Sequence, residues 1–278
     1  MIRRIVTSVI GLPLMGLFLI NGGLALRFAL IVVATLGMYE FYRAFIGSYR
    51  TWMTVLGLGA TAVFFAELPR LGAASGMLTS LALLIMACCM LAVVFHRSIT
   101  VPDVVFRDSS RIVNVAVTAV SFFYIAYMLG FVSLVREAPG GIYLVWLIFI
   151  TAWGADTFAY FTGSTIGRHL LCPHLSPSKT VEGAAGGVIG ATMLAMLYGL
   201  AISHFFQDAV YTEILTFGII SAAAALLSIF GDLTASAVKR HVGVKDFGGI
   251  FPGHGGVLDR FDSVLFTAPT IYILMNFL

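Results

Sequence analysis

An all-α polytopic membrane protein of about nine transmembrane helices is the fold class this sequence predicts. Three observations carry it. Of 278 residues, 60% are hydrophobic and only 10% are charged, and the mean hydropathy is +1.01. A soluble domain carries roughly 25% charged residues, and so apolar a chain has more hydrophobic surface than its own interior can hide. Apolar runs of roughly 20 residues, the length that crosses a hydrocarbon core as a helix, recur along the whole chain. Lysine and arginine fall mainly in alternate loops between those runs, as the positive-inside bias requires.

The candidate spans are 5–21, 24–42, 52–67, 74–96, 112–135, 141–163, 184–205, 212–238 and 261–277. The first follows Met1-Ile2-Arg3-Arg4, which mimics a signal peptide, but no small-x-small cleavage site follows and the segment reads as an uncleaved first helix. The second holds Arg27 near its start, where the side chain can snorkel to the headgroups. The third is weak, with Gly57 and Gly59 inside and Glu67-Leu68-Pro69-Arg70 at its end. The eighth acquires polar residues on one side as it finishes. Residues 1–140 form an N-terminal multi-span region and 141–278 a C-terminal catalytic region, the two reading as one integrated membrane domain.

With the N-terminus in the cytoplasm, 13 of the 16 basic residues lie in inside segments, and only Arg27, Arg70 and Arg136 lie outside. This supports nine spans with the C-terminus outside. It puts the two longest polar loops, 164–183 and 239–260, on the cytoplasmic face. Compactness and the lack of targeting signals suggest a bacterial inner membrane. A net charge of +3 without a basic tail gives no case for nucleic acid. Cys88, Cys89 and Cys172 have no spacing for zinc or a disulfide framework. A homodimer is left open as an arrangement of partners.

Ionisable residues at membrane depth are costly and usually mark a site. Asp156 stands near the end of the sixth span, Asp232 near the end of the eighth, and Asp259 and Asp262 open the ninth on one helical face. Each has an ordinary explanation. Asp259 and Asp262 are favourable first-turn charges, and Asp232 can pair with Lys239 or Arg240. Four acids at one depth weaken those explanations together. Carboxylates suit a hard cation such as magnesium, which typically takes one or two of them plus substrate phosphates. Lys239, Arg240, Lys245 and Arg260 lie among Asp232, Asp246, Asp259 and Asp262. Acids and bases so mixed are the usual equipment of phosphoryl or nucleotidyl transfer. In Pro252-Gly253-His254-Gly255-Gly256 the glycines let backbone N–H groups approach phosphates, with His254 as acid–base group or donor.

The other polar loop reads Leu175-Ser176-Pro177-Ser178-Lys179-Thr180-Val181-Glu182-Gly183. Lys179 is a phosphate-binding charge, and Ser176 and Thr180 are hydroxyl donors. Thr180 or Ser178 as helix N-cap with Glu182 in the first turn is the alternative, but it accounts poorly for Lys179. His169, His174, His241 and Cys172 receive no functional role.

The stretch Ser236…Lys239-Arg240…Lys245-Asp246-Phe247-Gly248…Phe251-Pro252-Gly253-His254-Gly255-Gly256-Val257-Leu258-Asp259-Arg260-Phe261-Asp262 closely resembles the signature of the phosphatidate cytidylyltransferase (CDP-diacylglycerol synthase) family. Many specified residues over 27 positions make chance a poor explanation, unlike a bare glycine pattern. The Asp156–Tyr160–Gly163–Gly167 series and Ser176–Gly183 look like the family's other polar region, so the likeness covers roughly 145–265. The resemblance implies that CTP and phosphatidate give CDP-diacylglycerol and pyrophosphate with Mg2+, in phospholipid biosynthesis. It makes Asp232 and Asp259 the principal metal ligands, Asp262 an assistant, and K+ a candidate second cation. It assigns Lys179, Lys239, Arg240, Lys245 and Arg260 to the anionic substrates. Asp246 either holds a basic neighbour or meets the nucleotide. Ser236, one turn from Asp232, falls on the site-facing side of its helix.

One substrate then belongs to the bilayer and the other to water, so an interfacial site with a lateral opening suits both. Three other readings compete. A CTP-dependent polyprenol or lipid-alcohol kinase would share the machinery, but the full signature favours cytidylyl transfer. A cation transporter would place its acids at mid-depth. A CDP-alcohol phosphotransferase needs a closely spaced aspartate motif that this sequence lacks.

Overall fold

The computed structural model describes residues 2–46, 52–71, 117–173, 175–205, 214–250 and 255–277. Among them run eight helices and one hairpin: α1 (Ile2–Asn21), α2 (Gly23–Ile46), α3 (Trp52–Leu71), α4 (Val117–Glu137), α5 (Gly141–Ile166), β1 (Leu170–Cys172), β2 (Ser176–Thr180), α6 (Val181–Phe205), α7 (Ile214–His241) and α8 (Leu258–Phe277). Eight of the nine sequence-predicted spans fall on these helices. The fourth, 74–96, lies outside the described residues.

The chain is a helical membrane protein. Five of the described helices are long and apolar enough to cross a bilayer: α2, over Gly23–Phe45, and α4, α5, α6 and α7. α1 and α3 are apolar over shorter stretches, Gly11–Asn21 and Val55–Pro69. α8 opens with Asp259, Arg260 and Asp262, and its residues 262–271 are buried without interruption. α2, α4, α5 and α7 pack against it. The 164–183 loop also departs from expectation: its centre is an antiparallel hairpin pairing Leu170 with Thr180 and Cys172 with Ser176.

Small residues set the helix spacing. A Cβ on Gly187 of α6 would come within 2.7 Å of the Ala155 carbonyl oxygen on α5, and one on Gly183 within 2.8 Å of that of Ala159. Close backbone approach of this kind is how helices pack where lipid supplies no hydrophobic drive between them. Gly231 does the same for α7 and α8, where an added Cβ would meet the Phe266 ring at 2.7 Å and the Asp262 carbonyl oxygen at 2.8 Å. The residue after it, Asp232, is thereby brought beside the start of α8. A polar strut joins three helices: Thr151 Oγ1 lies 2.9 Å from Ser221 Oγ, which donates to the Ala191 carbonyl at 3.2 Å.

At the opposite end of the bundle, Arg136 donates through Nε and Nη2 to the Leu19 and Ile20 carbonyls, each at 2.7 Å. These bonds satisfy acceptors that the end of α1 would otherwise leave open. Arg27 meets a partner at this end, its Nε lying 3.4 Å from Glu137 Oε1. Gly140 adopts φ +67 in the tight turn between α4 and α5, a conformation natural to glycine.

Candidate active site

Thr180 caps α6, its Oγ1 accepting the Gly183 N–H at 3.1 Å. Glu182 in the first turn accepts N–H bonds from Arg168 at 3.1 Å and His169 at 3.2 Å, and its other oxygen lies 2.5 Å from His169 Nδ1. The cap explanation for Thr180 therefore holds. Glu182 thereby ties residues 168–169 to the start of α6.

With its end so anchored, β2 projects Lys179 across to α7, where its ammonium pairs with Asp232. A cavity of about 440 Å³ lies beside this pair, lined by Asp156, Tyr160, Ser178, Lys179, Thr180 and Asp232 among others. It sits between the ends of α5 and α7, the hairpin and the start of α6. Thr180 thus both caps its helix and borders the cavity.

A second pair lies on the α8 side. Lys239, in the last turn of α7, places Nζ 2.8 Å from Asp259 Oδ1. Its ammonium also stands 5.6 Å from the centre of the Phe247 ring. The other Asp259 oxygen accepts the Phe247 N–H at 2.9 Å and the Gly256 N–H at 3.0 Å. Gly255, at φ +83, makes the turn that aims the Gly256 amide back at Asp259. Asp156 accepts a bond from Ser263 Oγ at 3.2 Å, which ties α5 to α8. Asp262 is buried, and its nearest charged influences are Asp232, Asp156 and Lys239.

The four acids picked out from the sequence are therefore gathered at one end of the bundle with Lys179 and Lys239. Arg260 adds a third positive charge acting on Asp156. Among the described residues no three His, Cys, Asp or Glu side chains converge as a preformed metal cage. Asp232 and Asp259 are each engaged by a lysine instead. The donors still fit magnesium, which is commonly held by one or two carboxylates and completed by substrate phosphates.

Asp246 stands beside the Asp259 cradle, since a Cβ on Gly255 would lie 3.1 Å from Asp259 Oδ2 and 3.5 Å from Asp246 Oδ1. Arg240, Lys245 and Asp246 are exposed, while Ser176 and Ser236 are half-buried and make no side-chain hydrogen bond among the described residues. Gly255 and Gly256 belong to the Asp259 cradle. His254 lies outside the described residues.

Sequence reasoning missed two groups here. Tyr124 stands on a π-helical stretch of α4, Phe122–Tyr127, with its hydroxyl buried and without a hydrogen-bond partner among the described residues. It lies in the field of Asp262, Asp232 and Asp259. The second is Glu40, buried on α2. Its signal was available, because a carboxylate within an apolar span is itself a flag.

A second cavity, apolar and about 500 Å³, opens between α1, α2, α5 and α8, with Phe18, Phe28, Val33, Trp153 and Phe261 among its walls. Among the described residues, Arg260 is its one charged lining residue.

The model of the cytidylyltransferase family matches residues 2–278. The phosphatidate cytidylyltransferase of Thermotoga maritima is 35% identical over 189 residues, covering 68% of this chain and 69% of that protein. That of Bacillus subtilis is 42% identical over 138 residues, covering 49% of this chain and 48% of its own length. That of Haemophilus influenzae is 43% identical over 131 residues, covering 46% and 44%. The alignable region is thus about half the length of the latter two.

Proposed function

The chain belongs to the cytidylyltransferase family, and from that premise we propose that it transfers a cytidylyl group from CTP to phosphatidate, giving CDP-diacylglycerol and pyrophosphate. The observation that carries this reading is the pairing of Lys179 with Asp232 and Lys239 with Asp259 at one end of the bundle, beside a polar cavity. The apolar cavity, with Arg260 in its wall, supports it further, since one substrate is a phosphate carrying two acyl chains.

In the proposed reaction an oxygen of the phosphatidate phosphate attacks the α-phosphorus of CTP. The new P–O bond replaces the bond to the β-phosphate, and pyrophosphate leaves. The nucleophile is already anionic at neutral pH, so no strong base is required. The difficulty is bringing two anions together and stabilising charge on the leaving group. Lys179 and Lys239 can turn from their carboxylates to the phosphates, and Arg260 offers the lipid phosphate a cation at the mouth of the apolar cavity. Magnesium, held by Asp232 and Asp259 with Asp262 assisting, supplies charge neutralisation when bound; potassium is the candidate for a second cation. Asp156, oriented by Ser263, borders the polar cavity and helps define it.

The membrane arrangement we propose has nine spans, the N-terminus in the cytoplasm, and the site on the cytoplasmic face of a bacterial inner membrane. The basic-residue asymmetry supports it.

The test uses purified chain in detergent with phosphatidate, Mg2+ and CTP labelled at either the α- or the γ-phosphate. Thin-layer separation should show α-label in CDP-diacylglycerol and γ-label in pyrophosphate. γ-Label in a lipid monophosphate formed from an added lipid alcohol, with none of the CDP-lipid, would establish the kinase alternative instead.

A further inference from the structure

Helix α8 begins without a local cap. The first N–H groups of a helix need acceptors, usually supplied by a Ser, Thr, Asp or Asn at the cap position. Here that position is Val257, whose side chain has none. The acceptors come from Glu40 on α2, more than 200 residues away in sequence. Its Oε1 accepts the Val257 N–H at 3.0 Å and its Oε2 the Leu258 N–H at 2.9 Å. Glu40 is 1% exposed. No lysine or arginine pairs with it among the described residues, so the helix N-terminus is its electrostatic counterpart.

The seat is built around this carboxylate. A Cβ on Gly248 or on Gly256 would collide with it, so these two glycines leave it room. The adjoining Phe41 packs its ring 6.0 Å from that of Phe247, which fixes the same loop to α2 a second way. Successive amides are divided between two acids: Gly256 donates to Asp259, and Val257 and Leu258 donate to Glu40. Asp259 and Arg260 follow directly. Glu40 does not line the polar cavity.

We infer that Glu40 is a positioning residue, whose carboxylate locks the start of α8 to α2 and thereby sets where Asp259 and Arg260 stand for nucleotidyl transfer. This rests on the transferase reading above. The anonymous N-terminal half of the chain then has a definite part in the site. Glu40→Gln keeps the side-chain length but turns an NH2 toward one backbone N–H, so one of the two bonds is lost.

The test compares wild type, Glu40→Gln and Gly248→Ala as full chains in detergent, by steady-state kinetics and by amide hydrogen exchange. Both variants should lower kcat, on the order of 100-fold for a misplacement of about 1 Å, with little change in KM for CTP. Exchange should rise in peptides covering 242–262 while the rest of the bundle matches wild type. In a Glu40→Ala background Gly248→Ala should cost little more, because the collision is gone. Unchanged kcat in Glu40→Gln, or unchanged exchange at 242–262, would overturn the inference. Faster exchange throughout the bundle would assign Glu40 to general stability and overturn it too. A wild-type chain that makes no CDP-diacylglycerol would remove the transferase reading, and the exchange comparison would still decide whether Glu40 fixes α8.

Discussion

Lys239 and Asp259 form the more enclosed of the two lysine–aspartate pairs, their side chains 12% and 4% exposed, against 26% and 25% for Lys179 and Asp232. The difference separates their roles. A buried charge that loses its partner is left uncompensated, whereas a partly hydrated pair is screened and contributes less. The Lys239 pair is thus expected to matter for stability as well as chemistry, and the Lys179 pair chiefly for chemistry.

Lys239→Met should destabilise the folded chain by about 3–5 kcal/mol, the usual result of stranding one partner of a buried pair. Thermal unfolding in detergent checks this. The Phe247 and Gly256 amides remain on Asp259 and should hold the loss toward the lower end. A Tm equal to wild type would mean that Asp259 needs no cation there.

Lys179→Ala should leave unfolding nearly unchanged and impair turnover. The expected loss is on the order of 100-fold, typical of removing one group that stabilises transition-state charge. An unaltered rate across CTP and phosphatidate concentrations would take Lys179 out of the site.

Asp259→Asn should abolish turnover in a chain that still folds in detergent, with a lowered Tm because Lys239 loses its partner. Chelation of divalent ions should abolish wild-type turnover and Mg2+ should restore it. Near-normal activity of Asp259→Asn at any magnesium concentration would exclude it as a metal ligand.

Val33→Trp, placed in the wall of the apolar cavity, should raise KM for phosphatidate while leaving KM for CTP unchanged. A short-chain phosphatidate should be affected less than a long-chain one. Equal effects on both substrates would show that this cavity does not hold acyl chains.

The helices were legible because hydropathy and turn residues are local. A run such as Val181–Phe205 announces itself within its own residues, as does Thr180 at a helix start. Asp156, Asp232, Asp259 and Asp262 were legible for a related reason: apolar surroundings make each one conspicuous. Glu40 met the same criterion and was passed over because no neighbouring motif drew attention to it.

Which groups meet was decided only by the tertiary structure. The ordinary explanation for Asp232 was a pair with Lys239 or Arg240 on its own helix, yet it pairs with Lys179 from the hairpin, and Lys239 turns to Asp259. The cause is packing. Gly231 lets α7 and α8 approach, and the rotation of each helix then decides which side chains face one another. Sequence spacing fixes a residue's place on its own helix, but not what stands opposite. The sequence by itself determined that this chain is a helical membrane protein with acids and bases set toward one end. Close contact between helices decided that Glu40, from the anonymous half, would hold the helix that carries Asp259.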